Sequence, residues 1–252
     1  MAIKGVLFDF SGTLFRIEST ESWLRAVLTA AEVPLSEPEL IRTAGELESV
    51  GALPGGAPTS RPLPAHLAEL WEVRDRSAAQ HRAAYTGIAR QVPLPDPRLH
   101  DALYDRHMAP AAWSPYPDAA EVLGALRERG VAVGVVSNIG WDLRPVFREH
   151  GLAPHVGAYV LSYEHGIQKP DTRLFALACE ALGVAPQDTL MVGDDRRADG
   201  GAAALGCGVH FVDHLPAPER PDGLRPVLEL VGQGASFGSK SGSRADRPGG
   251  RL

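Results

Sequence analysis

The fold is decided by the stretch GVLFDFSGTL, residues 5–14. The apolar run Ile3–Phe8 predicts a buried parallel strand, and the carboxylate of Asp9 ends it. A serine, a glycine and a threonine follow almost at once, so we expect the chain to turn there. Because ligands of open α/β sheets bind beyond the carboxyl ends of the strands, Asp9 is predicted to face a ligand.

The composition is that of a globular protein. With 252 residues, of which 44% are hydrophobic, the chain can bury a core in one large domain or two small ones. The net charge of -6 gives no electrostatic support for binding nucleic acid or an anionic membrane. No apolar run approaches the ~20 residues of a membrane helix, and the first run is too short for a signal peptide. Cys179 and Cys207 lack metal-ligand spacing and are expected to be reduced thiols, which indicates a cytoplasmic protein.

Residues 15–112 show helical spacing of their apolar side chains. Trp23 and Val27 belong to one such pattern, and a second helix is predicted at about 37–50. A loop rich in glycine and proline follows at 51–64, and later apolar residues support further helices. No convincing strand is predicted in this block.

Strands and helices alternate after residue 115. Asp118 and Glu121 have the spacing of a capping box, which predicts a helix that Gly130 ends. The alternation predicts a parallel sheet with right-handed crossovers. Further strands are predicted at 131–136, 159–161, 189–192 and 209–212, and further helices at 141–150, 171–182, 198–205 and 224–231.

Polar side chains follow several of these strands. Asp9 follows the first, Ser137 the second, and Asp194 with Asp195 the fourth. Lys169, a rare lysine in this arginine-rich chain, lies in the loop after the short third strand. Converging carboxylates repel each other unless a cation lies between them, and Mg²⁺ bound to carboxylates and substrate phosphate would relieve that repulsion. Ser137 and Lys169 would then hold the phosphate oxygens, as expected of a site for phosphoryl transfer.

Four segments in this order resemble the motifs of the haloacid dehalogenase (HAD) superfamily, in the subgroup with a helical cap after the first motif. They are Asp9–Leu14, Val135–Asn138, Lys169–Pro170 and Val192–Asp199. The resemblance covers residues 1 to about 215 and implies an α/β fold: a Rossmann-like parallel sheet core with helices on both faces and an inserted all-helical cap domain. We therefore predict a discontinuous core at 1–15 and 114–231, a cap at 16–113 and, from its composition, a disordered tail at 232–252.

The resemblance also implies roles for individual residues. Asp9 matches the nucleophile that attacks phosphorus and forms an aspartyl phosphate. Asp194 matches a Mg²⁺ ligand alongside Asp9, and Asp195 and Asp199 match acidic positions that help to hold the metal. Asp199 could instead cap the helix predicted from Ala198. Lys169 matches a phosphate-binding residue that also orients the nucleophile. Phosphate binding is assigned as well to Ser137, Asn138 and Thr13, the last being the turn hydroxyl of the first motif.

Ser11 departs from the pattern of the family's phosphatases, which carry a second Asp at this position as general acid and base. A serine hydroxyl is far too weakly acidic for that role near neutral pH, and loss of such a group typically costs ~10²–10⁴ in rate. The metal site need not suffer, because the family's residue contributes its backbone carbonyl to Mg²⁺. Ser11 therefore remains a candidate catalytic position and, through its carbonyl, a candidate metal ligand.

Ser11 leaves four interpretations open. The substrates have good leaving groups, turnover is slow, or the chain binds phosphate without useful turnover. In the fourth, another acid replaces the missing one. Haloacid dehalogenation is disfavoured, because the family's dehalogenases have an aromatic residue at this position and need no metal. The candidate replacement acids are the cap histidines His66, His81, His100 and His107.

These observations predict a Mg²⁺-dependent hydrolase that acts on a small phosphorylated metabolite through phospho-Asp9. The alternative is a catalytically weak or regulatory phosphate-binding protein. Neither nucleic acid nor a membrane is expected as a partner. The identity of the substrate and the oligomeric state are left open.

Overall fold

A computed structural model describes residues 2–56 and 61–232, and a five-stranded parallel sheet lies at its centre. The strands of the described residues are β1 (Gly5–Phe8), β2 (Phe15–Ile17), β3 (Trp113–Pro115), β4 (Ala132–Ser137), β5 (Ala158–Leu161), β6 (Thr189–Gly193) and β7 (Gly208–Phe211). The order in the central sheet is β5-β4-β1-β6-β7, and β2 pairs with β3 in a separate antiparallel ribbon.

β1 is the middle strand of the sheet. All of its residues are buried, and Phe8 lies opposite Val135 of β4 and Val192 of β6. A parallel strand that is covered on both faces consists of a continuous apolar run, which is what residues 5–8 show. The predicted α/β class with a Rossmann-like parallel sheet is confirmed.

Helices surround the sheet. In the described residues they are α1 (Thr20–Ala30), α2 (Glu37–Ser49), α3 (Ala68–Glu72), α4 (Ala78–Ala89), α5 (Leu99–Met108), α6 (Ala119–Glu128), α7 (Arg144–Glu149), α8 (Ser162–His165), α9 (Thr172–Leu182) and α10 (Arg225–Gly232). Short 3₁₀ helices at Arg74–Arg76 and Asp199–Leu205 matter for the site described below.

α9 forms where its boundary signals predict it. The side chain of Asp171 accepts a hydrogen bond from the Arg173 backbone N–H at 3.0 Å, and Gly183 ends the helix with φ 66°. Leu174 and Phe175 are fully buried on the face that packs against β4 and β5. The helix therefore covers one face of the sheet beside the loop that carries the predicted phosphate-binding lysine.

Helices α1–α5 occupy the segment predicted as a cap, and the β2–β3 ribbon joins its two ends. The expectation of no strand in this segment is wrong for β2. Phe15 and Ile17 are buried on either side of the partly exposed Arg16, which is the alternation of a short strand with one buried face. The division into a core and a cap stays a prediction.

Asp118 does not cap α6, as the capping-box spacing suggested. Its Oδ2 accepts hydrogen bonds from the backbone N–H groups of Leu224 at 2.7 Å and Arg225 at 3.2 Å. Those groups lie at the start of α10, so the carboxylate satisfies the first turn of a helix distant in sequence. Spacing alone could not distinguish the two partners.

Two further helices differ from their predicted form. α7 begins at Arg144 and not at residue 141, because Pro145 is tolerated only in the first turn of a helix. The segment Asp199–Leu205 is a 3₁₀ helix, and the consecutive glycines Gly200 and Gly201 lower its α-helical propensity.

The predicted disordered tail lies outside the described residues except for Gly232, which ends α10. Within residues 2–56 and 61–232, no helix combines the length and apolarity needed to cross a membrane. Cys179 and Cys207 are free and buried, and both belong to the apolar cluster under α9.

Candidate active site

The carboxyl ends of β1, β4 and β6 bring predicted site residues to one cavity. Asp9 follows β1, Ser137 ends β4, and Asp194 follows β6. The cavity has a volume of about 210 Å³, and Lys169 and Asn138 also line it. The parallel sheet therefore brings together residues that are up to 185 positions apart in the chain.

Lys169 is buried between two carboxylates. Its Nζ lies 2.9 Å from Asp9 Oδ1 and 2.6 Å from Asp199 Oδ1. Burial alone would lower the pKa of the ammonium group, but the charges of Asp199 and Asp9 outweigh it and raise that pKa. The lysine is therefore held as a cation directly against the predicted nucleophile.

A single lysine does not balance the acidic triad, which we define as Asp9, Asp194 and Asp199. One carboxylate oxygen from each lies within 4.8 Å of the other two. Burial raises the pKa of Asp9, and it raises the pKa of Asp199 to about 7, although Lys169 partly offsets both effects. Three carboxylates beside one ammonium group can therefore leave an excess of negative charge at this point.

The acidic triad fits a hard divalent cation. Carboxylate oxygens are the ligands that Mg²⁺ and Ca²⁺ prefer, and a divalent charge would remove the excess negative charge. Asp199 is fully buried, with Oδ1 on Lys169 and with Oδ2 accepting from the Asp195 N–H at 3.0 Å. It is therefore more than a helix cap.

Asp194 is positioned by two other segments of the chain. Thr13 Oγ1 donates to its Oδ1 at 3.2 Å, and His214 Nδ1 lies 2.6 Å from its Oδ2. Arg16 contacts the other nitrogen of the His214 ring. Burial would raise the pKa of Asp194, but the hydrogen bond and charge of His214 outweigh it and lower that pKa. Thr13 thus contacts the acidic triad, a positioning role beyond the phosphate binding predicted for it.

Arg220 supports the turn after Asp9, and no sequence motif marked it. Its guanidinium donates to the carbonyl of Gly12 at 2.5 Å and to that of Thr13, and it lies over the Tyr116 ring at 3.2 Å. Gly12 adopts φ 77°, and a Cβ there would stand 2.4 Å from Asp194 Oδ2. The turn therefore needs glycine at this position, and it is fixed by an arginine near the far end of the described chain.

Asn138 fixes the loop that carries Lys169. Its Nδ2 donates to the Lys169 carbonyl at 3.0 Å, and the Lys169 N–H donates to Asn138 Oδ1 at 2.6 Å. Asn138 therefore positions the lysine, in addition to the phosphate binding predicted for it. Ser137 is buried and lines the cavity, so its predicted contact with a phosphate group in that cavity is sterically possible.

Asp195 lies outside the acidic triad. Its Oδ1 accepts from the backbone N–H groups of Arg197 at 2.8 Å and Ala198 at 2.9 Å. It thus caps the turn that leads into Asp199, and its own N–H bonds the Asp199 carboxylate. The geometry supports a role in orienting Asp199 more directly than the metal contact predicted for Asp195.

Ser11 faces a loop of the predicted cap. Its Oγ is buried and has no hydrogen-bond partner in the part of the chain that the structure describes. Gly55 lies directly over it with φ 72°, and a Cβ on Gly55 would stand 2.3 Å from Ser11 Oγ. A longer acidic side chain at position 11 would therefore collide with loop 51–56 in this conformation.

The part of the cavity lining that comes from the predicted cap was not recognised as a site from the sequence. We call it the cap wall, and its one carboxylate, Asp75, is buried with 3% exposure. Asp75 Oδ2 lies 3.5 Å from Arg74 Nε, and its Oδ1 lies 3.7 Å from His81 Nε2. Burial raises the pKa of Asp75, and the charges of Arg74 and Lys169 offset this only in part. The cap wall consists of Gly55, Arg74, Asp75, His81 and Tyr85.

The four candidate histidines are poor replacements for the missing acid. His66 is exposed, and His100 bonds backbone carbonyls. His81 lines the cavity, but burial holds its pKa well below the ordinary value. Burial also lowers the pKa of His107 to about 3. Because such rings stay neutral near pH 7, they have no proton to give to a leaving group.

The chain belongs to the haloacid dehalogenase-like hydrolase family. The family description "Hydrolase: haloacid dehalogenase-like hydrolase" matches residues 3–206. The resemblance of the four motifs is confirmed, and the protein is a hydrolase. The acidic triad and Lys169 all come from the four motifs, and their assignment to a reaction centre stays a prediction.

Two phosphatases are among the relatives of the chain. Phosphoserine phosphatase of Thermus thermophilus is 41% identical over 109 residues, which are 42% of this chain and 44% of that protein. The chain therefore matches less than half the length of that relative. Phosphoglycolate phosphatase of Escherichia coli is 27% identical over 213 residues, which are 81% of this chain and 79% of that protein.

The fold is shared with a dehalogenase as well. L-2-haloacid dehalogenase of Xanthobacter autotrophicus, solved with chloropropionic acid covalently bound, superimposes with a TM-score of 0.59 at 24% identity. The match covers 86% of this chain and 81% of that one. The fold alone therefore does not decide between phosphate and halide chemistry, and the side chains of the site must.

Proposed function

We propose that the protein is a Mg²⁺-dependent phosphatase that hydrolyses a small phosphorylated metabolite through an aspartyl phosphate on Asp9. The observation that carries the proposal is the position of Asp9, whose Oδ1 lies 2.9 Å from Lys169 Nζ beside two further carboxylates. Three clustered carboxylates favour a bound divalent cation, and such a cation would offset the charge of a phosphate dianion beside Asp9. The phosphatase names of the relatives support the same class of substrate.

In the proposed reaction Asp9 attacks phosphorus, the bond to the ester oxygen breaks, and water then releases phosphate from Asp9. Lys169 orients the Asp9 carboxylate, and with Ser137 it holds the phosphate oxygens. Mg²⁺, held by the acidic triad, would supply the positive charge that lets the dianion approach. Segment 16–113 would act as a cap that excludes water from the site. We place this reaction in the cytoplasm, consistent with two free thiols.

The test is phosphate release in Mg²⁺ by wild type and Asp9→Asn. Asp9→Asn is expected to lower the rate by at least about 10⁴-fold, as for other catalytic nucleophiles. Mass spectrometry of the acid-quenched wild type should find one phosphoryl group on the Asp9 peptide. Asp188→Asn, which removes a carboxylate paired with the exposed Lys4, is the control and should keep wild-type activity. Phosphate release by Asp9→Asn at the wild-type rate would contradict the proposal.

The substrate panel follows from the relatives and from the cavities. It contains acetyl phosphate, p-nitrophenyl phosphate, phosphoserine and phosphoglycolate. Phenyl phosphate is added because an apolar cavity of about 190 Å³ shares Gly55 and Tyr85 with the site. The substrate with the highest kcat/KM then identifies the kind of leaving group that fits against the cap wall.

A second candidate, a phosphate-binding protein without useful turnover, is favoured by Ser11, whose Oγ has no partner among the described residues. Beryllofluoride with Mg²⁺ should raise the melting temperature of either kind of protein. Binding of beryllofluoride together with no turnover of any panel substrate would establish the second candidate.

A further inference from the structure

We propose that Asp75 supplies the proton-transfer group that Ser11 lacks, as the general acid and base of the reaction. The inference rests on the proposed phosphatase function. It comes from one juxtaposition: Asp75 lines the same cavity as Asp9 and Ser11, and the charges of Lys169 and Asp9 act on its carboxyl group. A proton donor must reach the ester oxygen that leaves phosphorus, and Asp75 is a carboxyl group of the same cavity as the nucleophile.

The turn that carries Asp75 is anchored to the core. It is the 3₁₀ helix Arg74–Arg76, which packs against α4 and α8. The Oγ of Ser162, the fully buried first residue of α8 directly after β5, donates to the Asp75 carbonyl at 2.6 Å. The backbone of Asp75 is therefore fixed relative to the sheet that carries Asp9, which is what a proton-transfer group requires.

The surroundings of the Asp75 carboxyl favour its protonated form. Arg74 from its own turn lies at 3.5 Å, His81 from α4 lies at 3.7 Å, and Tyr85 is the other titratable group of α4 beside it. From the core, Lys169 and Asp9 act on it with opposite signs, and α8 offers the Ser162 hydroxyl to its backbone. Burial outweighs the two cations, so the acid keeps its proton to higher pH than an exposed aspartate does.

The position that family phosphatases use for the acid is closed in this chain. Gly55 lies over the Ser11 hydroxyl with no room for an added Cβ. In this proposal the proton-transfer carboxyl group is therefore not on the turn after β1, where Ser11 lies, but at Asp75 on the cap wall of the same cavity. Loop 51–56 fills the space that the first position would need.

The proton balance of this proposal is complete. As Asp9 attacks phosphorus and the bond to the ester oxygen breaks, the Asp75 carboxyl gives its proton to that oxygen, and the alcohol leaves. The Asp75 carboxylate then takes a proton from the water that attacks the phosphoryl group on Asp9. Phosphate leaves, Asp9 is again a carboxylate, and Asp75 is again protonated. The overall reaction consumes one water per ester.

The test compares leaving groups in wild type and Asp75→Asn, with kcat/KM measured in Mg²⁺. A poor leaving group needs the proton and a good one does not, so kcat/KM for phenyl phosphate should fall by ~10²-fold or more. For p-nitrophenyl phosphate the loss should stay below about 10-fold on the same reasoning. The wild-type profile for phenyl phosphate should fall as pH rises through the pKa of Asp75, and Asp75→Asn should lose that limb. Asp101→Asn, which removes an exposed carboxylate of α5, is the matched control and should behave as wild type.

Two results would overturn the assignment: an equal loss for both leaving groups, or no loss. If Asp75→Asn fails to fold, the assignment is tested instead with Asp75→Glu and with the leaving-group dependence of wild type. Asp75→Glu should keep part of the phenyl phosphate activity, and wild type should show only a shallow dependence on leaving-group pKa. A steep dependence in wild type means that no acid operates. Release that survives Asp9→Asn would instead overturn the proposed function, so the two failures are distinguishable.

Discussion

The two walls of the cavity are built differently. The wall at the strand ends carries a lysine 2.6 and 2.9 Å from two carboxylates, and one of these, Asp9, directly follows the central strand β1. The cap wall carries one buried carboxyl, Asp75, with the Arg74 guanidinium 3.5 Å away and the neutral His81 ring 3.7 Å away. The first wall is dense in charge, and the second is mostly neutral.

This difference matches two chemical tasks. A phosphate and a metal ion need concentrated charge at fixed positions, and ends of parallel strands provide fixed positions. A leaving group needs a proton and a shaped, mainly neutral surface. A carboxyl whose pKa burial raises, beside a neutral imidazole such as His81, suits both needs. The charged wall should therefore respond most to loss of charge, and the cap wall to changes of fit and protonation.

The largest effect is expected from Lys169→Met. The substitution leaves Asp9 and Asp199 buried without their cation, which typically costs about 3–5 kcal/mol, and activity should be lost. Lys4→Met is the matched control, because Lys4 pairs with Asp188 at 2.7 Å but is exposed, and such pairs are worth about 0–1 kcal/mol. Urea denaturation at pH 8 with and without Mg²⁺ measures both.

Mg²⁺ should restore part of the stability of Lys169→Met, because it can neutralise the same carboxylates, and should do nothing for Lys4→Met. Equal losses of stability in the two variants would show that the buried carboxylates around Lys169 do not cause the destabilisation.

The next prediction concerns His107, a buried residue of α5 whose neutral form is favoured by burial. Burial lowers the pKa of His107 to about 3, from an ordinary value of 6.5. Between these pH values the unfolded chain binds a proton that the folded chain does not. The free energy of unfolding therefore decreases as pH falls, by up to about 1.4 kcal/mol per pH unit from this group.

His107→Gln should flatten that slope between pH 6.5 and 3, as measured by urea denaturation across the range. His66→Gln removes an exposed imidazole of the same segment and should leave the slope as in wild type. An unchanged slope in His107→Gln would mean that this ring is not kept neutral by burial.

The sequence predicts the two walls unequally, for a physical reason. Asp9 and Asp194 could be predicted because an apolar strand followed by a polar turn is a local pattern, and a parallel sheet aligns strand ends. Asp75 could not, because its place in the same cavity as Asp9 depends on how helices pack, and helical periodicity does not encode that packing. His214 was missed for a different reason: it lies in the loop after β7, and no sequence motif marks that loop as part of the site.

The close contact between loop 51–56 and Ser11 should require glycine at position 55. In Gly55→Ala the new Cβ would stand 2.3 Å from Ser11 Oγ at φ 72°, so the loop must move at a cost of about 1–3 kcal/mol. Activity on phenyl phosphate should fall with it, and adding Ser11→Ala should recover part of both losses. Gly45→Ala is the matched control, since nothing lies within 4 Å of its Cβ and alanine favours helix α2 by about 0.5–1 kcal/mol. Additive effects of Gly55→Ala and Ser11→Ala would contradict this contact.

The smallest effect lies away from both walls, at Asp118. Asp118→Ala removes the acceptor for the Leu224 N–H at 2.7 Å and should cost about 1 kcal/mol, as loss of other helix caps does. Hydrogen exchange should become faster in the first turn of α10 and stay unchanged in α6, while phosphatase activity stays at the wild-type level. Asp171→Ala is the matched control, because it uncaps α9 at a bond of 3.0 Å and should speed exchange there instead. Faster exchange in α6 would show that the carboxylate caps its own helix after all, as the local spacing predicts, and that its bond to α10 contributes nothing to stability.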